Sequence, residues 1–425
     1  MNYYSELSTK IFNKKTQIAI IGLGYVGLPL ALQFSKNKFN VTGFDIDEIK
    51  INKLNKAKSY IKHISDKEIK NYKKRIFFTS DFKKISFCDV IILCLPTPVT
   101  KNFKPDLSFI KKTMLKIKKY LCKGQILILE SSTYPGSTKQ ILTPYLNKFE
   151  LGNNFFLGYS PEREDPNNKK FKLVNIPKIC SGYSNNCLNI TVQIYKKIIK
   201  KTIKVSNIET AEFVKLYENI YRSVNIGLVN ELKMVSNKLK LNIYEIIKAA
   251  STKPFGFQAF YPGPGVGGHC IPVDPYYLSW IAKKNNIKTN LIYHAGKINS
   301  SMPRWVVSEI LKRKKIKKVL IVGVAYKKDL DDTREAPAID FIKILRKKKI
   351  SVSYHDPNVK FLKSRKLKNM LNSKNLNSNE LKKYDCVIIV TNHSNINYDL
   401  IKKNSKLIID TRNILPKNNS NILQL

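Results

Sequence analysis

Gln17-Ile-Ala-Ile-Ile-Gly22-Leu-Gly24-Tyr-Val-Gly27 is a short apolar run that ends in three spaced glycines and opens a helical stretch reaching Asn37. A run this short and this apolar suits a strand buried on both faces of a parallel sheet. The glycines have separate tasks at such a strand-to-helix turn. Gly22 permits the tight turn, Gly24 lets backbone approach a pyrophosphate, and Gly27 lets the helix pack close to the sheet, its N-terminus attracting the anion. A second strand, Asn40 to Phe44, ends at Asp45, 18 residues after Gly27. A carboxylate there accepts hydrogen bonds from an adenosine ribose and repels a 2′-phosphate, so the expected cofactor is NAD rather than NADP. Asp47 is the alternative for the ribose contact.

Outward from this turn, apolar strands recur at Val90–Leu95, Gln125–Leu129 and Phe155–Gly158, separated by Lys-rich helical segments. Strands alternating with helices imply a parallel sheet with right-handed crossovers. From about residue 206 the pattern turns helical. Phe213, Tyr217, Ile220, Val224, Leu228, Leu232 and Val235 keep a 3.6-residue stripe over a long segment. A third block starts at Lys317-Lys-Val-Leu-Ile-Val-Gly323 and continues through Ser351–His355, Cys386–Val390 and Leu407–Asp410. The expected class is α/β: two Rossmann-like, doubly wound parallel-sheet domains joined by a central helical domain with a long helix. The expected boundaries are 14–205, 206–303 and 314–425. Blocks one and three share a pattern without a visible sequence repeat.

A chain of 425 residues has room for two to three such domains. Its 43% hydrophobic and 25% charged residues exclude disordered, collagenous and disulfide-scaffold classes. No apolar run approaches the roughly 18 residues a membrane span needs, and the polar stretch from Met1 to Lys15 does not read as a secretory signal. Seven cysteines, at 88, 94, 122, 180, 187, 270 and 386, show no CxxC spacing. That pattern favours reduced thiols in a cytoplasmic protein over disulfides or zinc, and no metal is expected. The formal net charge of +45 would suggest nucleic acid, yet Lys supplies 67 of the 76 cations and Arg only 9. Nucleic-acid surfaces recruit Arg for forked and stacked contacts, so the excess reads as compositional and neither nucleic acid nor membrane is an expected partner.

A second glycine cluster runs Tyr261-Pro-Gly-Pro-Gly265-Val-Gly267-Gly-His-Cys270-Ile-Pro-Val-Asp274. Four glycines in six residues expose backbone N–H groups and let a ligand lie close. Cys270 leaves this loop four residues before a carboxylate, whereas the other six cysteines sit in or beside apolar strands and helices. Composition alone leaves a nucleophile and a plain loop thiol equally open.

Five runs in order, Gly22–Gly27, Ser160-Pro-Glu162-Arg163, Ala211-Glu-Phe-Val-Lys215-Leu-Tyr-Glu-Asn219, Gly267-Gly-His-Cys270 and Tyr326-Lys327-Lys-Asp-Leu-Asp-Asp-Thr-Arg334, span nearly the whole chain. Together they resemble the UDP-glucose/GDP-mannose dehydrogenase family. The resemblance implies oxidation of the C6 hydroxymethyl of a nucleotide sugar to a carboxylate with two NAD. Ser59-Tyr-Ile-Lys-His-Ile64, the SPER run and GGHCIPVDP are similar to the bacterial UDP-N-acetylglucosamine 6-dehydrogenase branch, which supplies uronic acids for surface polysaccharides such as O-antigen. UDP-glucose, UDP-N-acetylgalactosamine and UDP-N-acetylmannosamine are the alternative substrates. A single-hydride β-hydroxyacid dehydrogenase is the alternative chemistry, though it needs neither a thiol nor a third αβ block.

The resemblance also implies roles. Cys270 would hold the aldehyde as a thiohemiacetal, then as a thioester that water cleaves. Lys215 and Asn219 stand one helical turn apart, opposite the apolar stripe. Lys215 would stabilise the developing oxyanion, and Asn219 would bond the sugar or that oxyanion. Asp274 would orient water with Lys215, Thr133 would position that water near the nicotinamide, and Glu162 would be acid/base in thioester hydrolysis. Tyr25, Val26 and Thr97 join Gly22, Gly24, Gly27, Asp45 and Thr133 around the cofactor. Arg163, Tyr261, Gly265, Gly267, Tyr326, Lys327 and Arg334 join Glu162, Lys215 and Asn219 around a UDP-sugar held by the C-terminal domain. His269 reads as a residue shaping the pocket. The run Arg163-Glu164-Asp165-Pro166 departs from the UDP-glucose pattern of an apolar pair and a second acid, which argues against UDP-glucose. A homodimer or larger homo-oligomer built on the long helix is expected.

Overall fold

The computed structural model describes every residue except 1, 63, 101, 166, 167, 169, 170, 313, 314, 368 and 417–419. His63 and Pro166 of the runs quoted above therefore lie outside the described residues. The chain groups into two compact units, Met1–Glu218 with Tyr276–Asn285, and Asn219–Pro275 with Asn286–Leu425.

The first unit is built on eight strands: β1 (Gln17–Ile21), β2 (Asn40–Phe44), β3 (Ile76–Thr79), β4 (Val90–Leu93), β5 (Ile126–Leu129), β6 (Phe156–Tyr159), β7 (Lys178–Gly182) and β8 (Thr202–Lys204). They lie in the order β3-β2-β1-β4-β5-β6-β7-β8. β1 pairs in parallel with both β2 and β4, so the order reverses beside it and leaves the crevice in which such sheets bind ligands. All residues of β4, β5 and β6 are buried, which explains their unbroken apolar sequences. β7 departs from the expected parallel pattern: it pairs antiparallel to β6, Gly158 opposite Gly182 and Tyr159 opposite Ser181. Its sequence, Lys178-Ile-Cys-Ser-Gly182, is apolar enough for a strand but carries no mark of direction.

The second unit holds a parallel sheet in the order β10 (Ser351–His355), β9 (Lys318–Val322), β13 (Cys386–Ile389), β14 (Ile408–Asp410), β15 (Ile422–Gln424), with a small antiparallel ribbon of β11 (Phe361–Leu362) and β12 (Leu371–Asn372). The two sheets reuse one device. Gly22 donates its N–H to Phe44 at 2.8 Å, and Gly323 donates to His355 at 2.9 Å. The acid after the second strand then accepts the next amide, Leu23 to Asp45 at 3.0 Å and Val324 to Asp356 at 2.7 Å. They differ in what else meets the acid. Asp356 is closed by His393, whose Nε2 lies 3.0 Å away with both side chains fully buried.

The long helix, Ile208–Lys238, is amphipathic in the inverse sense. Phe213, Tyr217, Leu228, Leu232 and Val235 are exposed, whereas Glu212, Asn219, Ser223, Asn230, Lys233 and Ser236 are buried. A buried polar face is stable only when its groups are paired. Here Asn230 donates to Asn299 at 2.9 Å and accepts from the Gly263 amide at 3.0 Å, Asn299 donates to the Ser223 carbonyl at 2.9 Å, and Lys233 reaches the Gln424 carbonyl at 3.2 Å.

Candidate active site

In the first unit the glycine turn is held by its own backbone. Gly22 has φ +95°, and a Cβ on it would sit 2.4 Å from the Cys94 carbonyl oxygen. A Cβ on Gly27 would sit 1.9 Å from the Gly22 carbonyl oxygen, so this glycine closes the turn on itself as well as lying against Cys94. At Gly24 nothing stands within 4 Å, leaving the crest of the turn open to a pyrophosphate. Tyr25 and Val26 follow it, half-buried, at the head of helix Gly27–Lys36.

Asp45, only 8% exposed, accepts from the amides of Leu23 and Asp47, each at 3.0 Å, and lies 3.5 Å from Lys50 Nζ. Asp47 caps helix Glu48–Asn55 by accepting from Ile49 and Lys50. Tyr60, from the Ser59–Ile64 run, donates its hydroxyl to the Leu23 carbonyl and so fastens that run to the glycine turn. Thr97 is buried, its carbonyl accepting from the Tyr277 hydroxyl at 2.9 Å. An open turn with a carboxylate one strand away fits a dinucleotide.

Glu162 is held on several sides. One oxygen accepts the amides of Arg163 and Glu164 at 2.7 and 2.6 Å, and the other meets Lys178 Nζ at 2.7 Å. Lys178 also contacts Glu130 at 3.1 Å, and Glu130 accepts the Tyr195 hydroxyl. Burial pushes Glu130 up to about 7, with Lys178 opposing and Glu162 adding to the rise. Burial would raise Glu162 too, but the charge and hydrogen bond of Lys178 and the Glu164 amide draw it below the usual carboxylate range. Burial, then the charge of Glu162, lifts Glu164 to about 7.

Thr133 is fully buried and donates to Glu212 at 3.2 Å. Glu212 also accepts from the amides of Gly136 and Thr138, at 2.6 and 2.8 Å, and from the hydroxyls of Ser137 and Thr138, at 2.9 and 2.6 Å. One carboxylate on the long helix thus clamps the turn that presents Thr133. Lys215 follows Glu212 by three residues on that helix and is half-buried. Arg163, expected at the sugar or phosphates, meets Glu218 at 2.5 Å and the Pro177 carbonyl at 2.8 Å, so its charge is balanced within the chain.

In the second unit Asn219, one turn after Lys215, donates to Asp274 at 2.5 Å, and both residues are buried. The Asp274 amide donates in turn to the Cys270 carbonyl at 2.8 Å, which sets the half-buried thiol residue one turn ahead of that carboxylate. The glycines beside it are also required by close packing within the chain. A Cβ on Gly267 would fall 2.7 Å from Tyr326 Cβ and 2.8 Å from the Glu335 carbonyl oxygen, and one on Gly268 2.8 Å from the Tyr326 ring. The Gly268 N–H is taken by the Arg334 carbonyl at 2.9 Å. Their close approach is to Tyr326 and the Arg334 turn. Gly265, at φ +123°, packs toward Asn299 and Pro337. Tyr261 is exposed and Lys327 half-buried. Burial, then the charge of Arg334, lowers His269 below the usual imidazole range. Arg334 is half exposed and held by Asp332 through contacts of 2.5 to 3.0 Å.

Each unit therefore gathers its own set: Gly24, Asp45, Thr133, Glu162 and Lys215 in the first, Asn219, Cys270, Asp274, Tyr326 and Arg334 in the second. Sequence reading missed Lys178, Glu130, Glu212 and Asp332. Glu212 and Asp332 sat inside quoted runs, Glu130 directly follows the quoted strand Gln125–Leu129, and Lys178 was hidden among 67 lysines. Among the described residues no group of His, Cys, Asp and Glu is arranged to hold a metal ion, and no helix is long and apolar enough to cross a membrane.

The NAD binding, central and UDP binding domains of the UDP-glucose/GDP-mannose dehydrogenase family match residues 16–199, 209–301 and 320–417. A UDP-N-acetyl-D-glucosamine 6-dehydrogenase from Pseudomonas aeruginosa is 36% identical over 81% of this chain and 83% of its own. One from Salmonella typhi is 33% identical over 96% and 98%. The solved structure of a UDP-D-ManNAc dehydrogenase from Pyrococcus horikoshii is similar with a TM-score of 0.86 and 31% identity, covering 96% of this chain and 98% of that one.

Proposed function

Because the chain belongs to the UDP-glucose/GDP-mannose dehydrogenase family, an NAD-dependent group of oxidoreductases, we propose that it converts the C6 hydroxymethyl of a UDP-N-acetylhexosamine to a carboxylate in two oxidations at Cys270. The observation that carries the reading is the fixed run from thiol to acid: Cys270 tied by backbone to Asp274, and Asp274 bonded to Asn219. When bound, NAD accepts the hydride lost from C6, once in each oxidation.

The chain's own residues do the rest. Asp45 accepts the ribose hydroxyls beside the open crest of Gly24, with Tyr25, Val26, Thr97 and Thr133 completing the cofactor set. After the first hydride has left, the Cys270 thiolate adds to the aldehyde carbon, and the new oxyanion meets Lys215 and Asn219. Loss of a second hydride from the thiohemiacetal leaves a thioester. Water attacks that carbonyl carbon as Glu162 takes its proton, the C–S bond breaks, and the thiolate returns. Asp274 and Thr133 orient the water. Tyr326, Lys327 and Arg334 hold the nucleotide, a guanidinium presented by Asp332 suiting a diphosphate. Tyr261, Gly265, Gly267 and Arg163 complete the substrate set. The three segments act as an NAD domain (14–205), a pairing domain (206–303) and a UDP-sugar domain (314–425).

UDP-N-acetylglucosamine is the favoured substrate, supported by two relatives of that name. UDP-N-acetylmannosamine is the second reading, favoured by the likeness to the Pyrococcus horikoshii structure. The product would feed surface polysaccharide synthesis. Seven cysteines outside any disulfide suit a reducing compartment, and we assign the enzyme to the cytoplasm. The exposed apolar stripe of the long helix supports pairing with a second copy. NADH counted per sugar across a panel of UDP-sugars tests the reading. Two per sugar with an N-acetylhexosamine is expected; one per sugar would replace it with a single-hydride dehydrogenase.

A further inference from the structure

Three strand ends bring charge to one edge of the first sheet. β5 and β6 are parallel, so Glu130 and Glu162 both follow strands at the carboxyl edge. β7 runs the other way, and its first residue, Lys178, therefore arrives at that same edge. A parallel β7 would put Lys178 at the opposite end. The reversal seats one ammonium between two carboxylates, 2.7 Å from Glu162 and 3.1 Å from Glu130, with side-chain exposures of 4%, 10% and 0% for Lys178, Glu162 and Glu130.

One cation against two carboxylates leaves an excess negative charge that burial does not tolerate, so one carboxylate is driven to hold a proton. Hydrogen bonding decides which. Glu162 accepts two backbone amides besides Lys178 and keeps its charge, whereas Glu130, fully buried, accepts only the neutral Tyr195 hydroxyl besides Lys178 among the described residues. The directions found for the two acids agree: Glu130 is raised and Glu162 lowered. The other titratable groups facing the trio are the thiols of Cys94 and Cys180, both raised by burial, the Glu164 carboxyl, and Lys215 from the long helix.

We propose that Lys178 is a positioning residue for the hydrolytic half of the reaction: bridging Glu130 and Glu162, it commits the shared proton to Glu130 and leaves Glu162 an oriented, ionised base. This rests on the reading of Glu162 as the base in thioester cleavage. Water loses its proton to Glu162 as its oxygen bonds the thioester carbon, and the electron pair of the broken C–S bond stays on Cys270.

The test follows uronate release after the NADH burst, as a function of pH, with UDP-N-acetylglucosamine and with UDP-N-acetylmannosamine. Lys178→Met should move the acidic limb of the hydrolysis rate upward by about 1 to 3 pH units, and Lys178→Arg should leave it in place. Lys178→Met/Glu130→Gln removes the buried repulsion and so folds where the single variant fails, and its limb too should lie above the wild-type one. Unfolding without cofactor gives a second sign. Wild-type Glu162, with its lowered value, contributes stability above the unfolded carboxylate value and loses it as pH falls through the folded one. In the double variant a raised Glu162 should instead lose stability as pH rises through its folded value. Variants that slow evenly at every pH with an unmoved limb would reduce Lys178 to a structural ion pair. Glu162→Gln separates the two ideas. If hydrolysis survives it, the reading of Glu162 fails and takes this proposal with it; if hydrolysis is lost but the Lys178 limbs stay put, this proposal alone fails.

Discussion

The side-chain amide of Asn219 donates to the carboxylate of Asp274 at 2.5 Å, 3% and 1% exposed respectively, so the acid beside the thiol loop is fixed by a residue of the long helix. The pair joins two parts of the chain 55 positions apart and makes the helix the scaffold of the thiol segment.

Asn219→Ala strips that donor and should lower stability by about 1–3 kcal/mol, read as a lower urea midpoint, with a matching fall in kcat. Asn219→Asp sets two buried carboxylates side by side, and one must take a proton. Its carboxyl value is then raised on folding, so stability is present at low pH and lost as pH rises. Urea midpoints at pH 5 and pH 8 should diverge more in that variant than in Asn219→Ala.

Cys270→Ser should yield at most one NADH per sugar, or accumulate an ester-like adduct detectable by mass spectrometry of the intact chain. Near-normal uronate formation by the variant would remove the thioester from the mechanism.

Asp45→Ala should raise the KM for NAD and relax discrimination against NADP. Since Asp45 also accepts the Leu23 and Asp47 amides, the thermal midpoint should fall as well. Unchanged KM values for both cofactors would mean the ribose is held elsewhere.

Glu212→Ala orphans five donors around the turn that presents Thr133. At about 1–3 kcal/mol for each buried donor left unpaired, the loss should exceed about 3 kcal/mol in denaturant unfolding. Glu212→Gln retains an acceptor and the shape of the clamp, and should fall between the two.

Leu232→Glu with Val235→Lys places charges in the exposed stripe of the long helix. The mass measured by light scattering should drop to that of one chain while helix content is kept. An unchanged mass would move the subunit contact to another face.

Much of the fold was legible because it rests on local patterns. Buried parallel strands must be apolar throughout, so β1, β4, β5 and β9 announced themselves, and Gly22 and Gly323 marked turns a side chain could not make. The long helix was legible in period, and its stripe was expected to outrun one domain. Phe213, Tyr217, Leu228, Leu232 and Val235 of that stripe are exposed while Ile220 is buried, and the polar Asn230, Ser223 and Lys233 have partners inside. Gly267 and Gly268 were legible as positions needing glycine, but their neighbour is Tyr326 and the Arg334 turn, distant in the chain.

Sequence by itself determined the αβ pattern, the glycine turn with its acid, and the thiol four residues ahead of Asp274, since each depends on residues near one another along the chain. The tertiary structure alone decided that Lys178 would bridge Glu130 and Glu162, that Glu212 would clamp the Thr133 turn, and that Arg163 would be neutralised by Glu218. Charge has no short period to read. A lysine becomes special only when burial removes the water around it and a strand running backwards sets it between two acids.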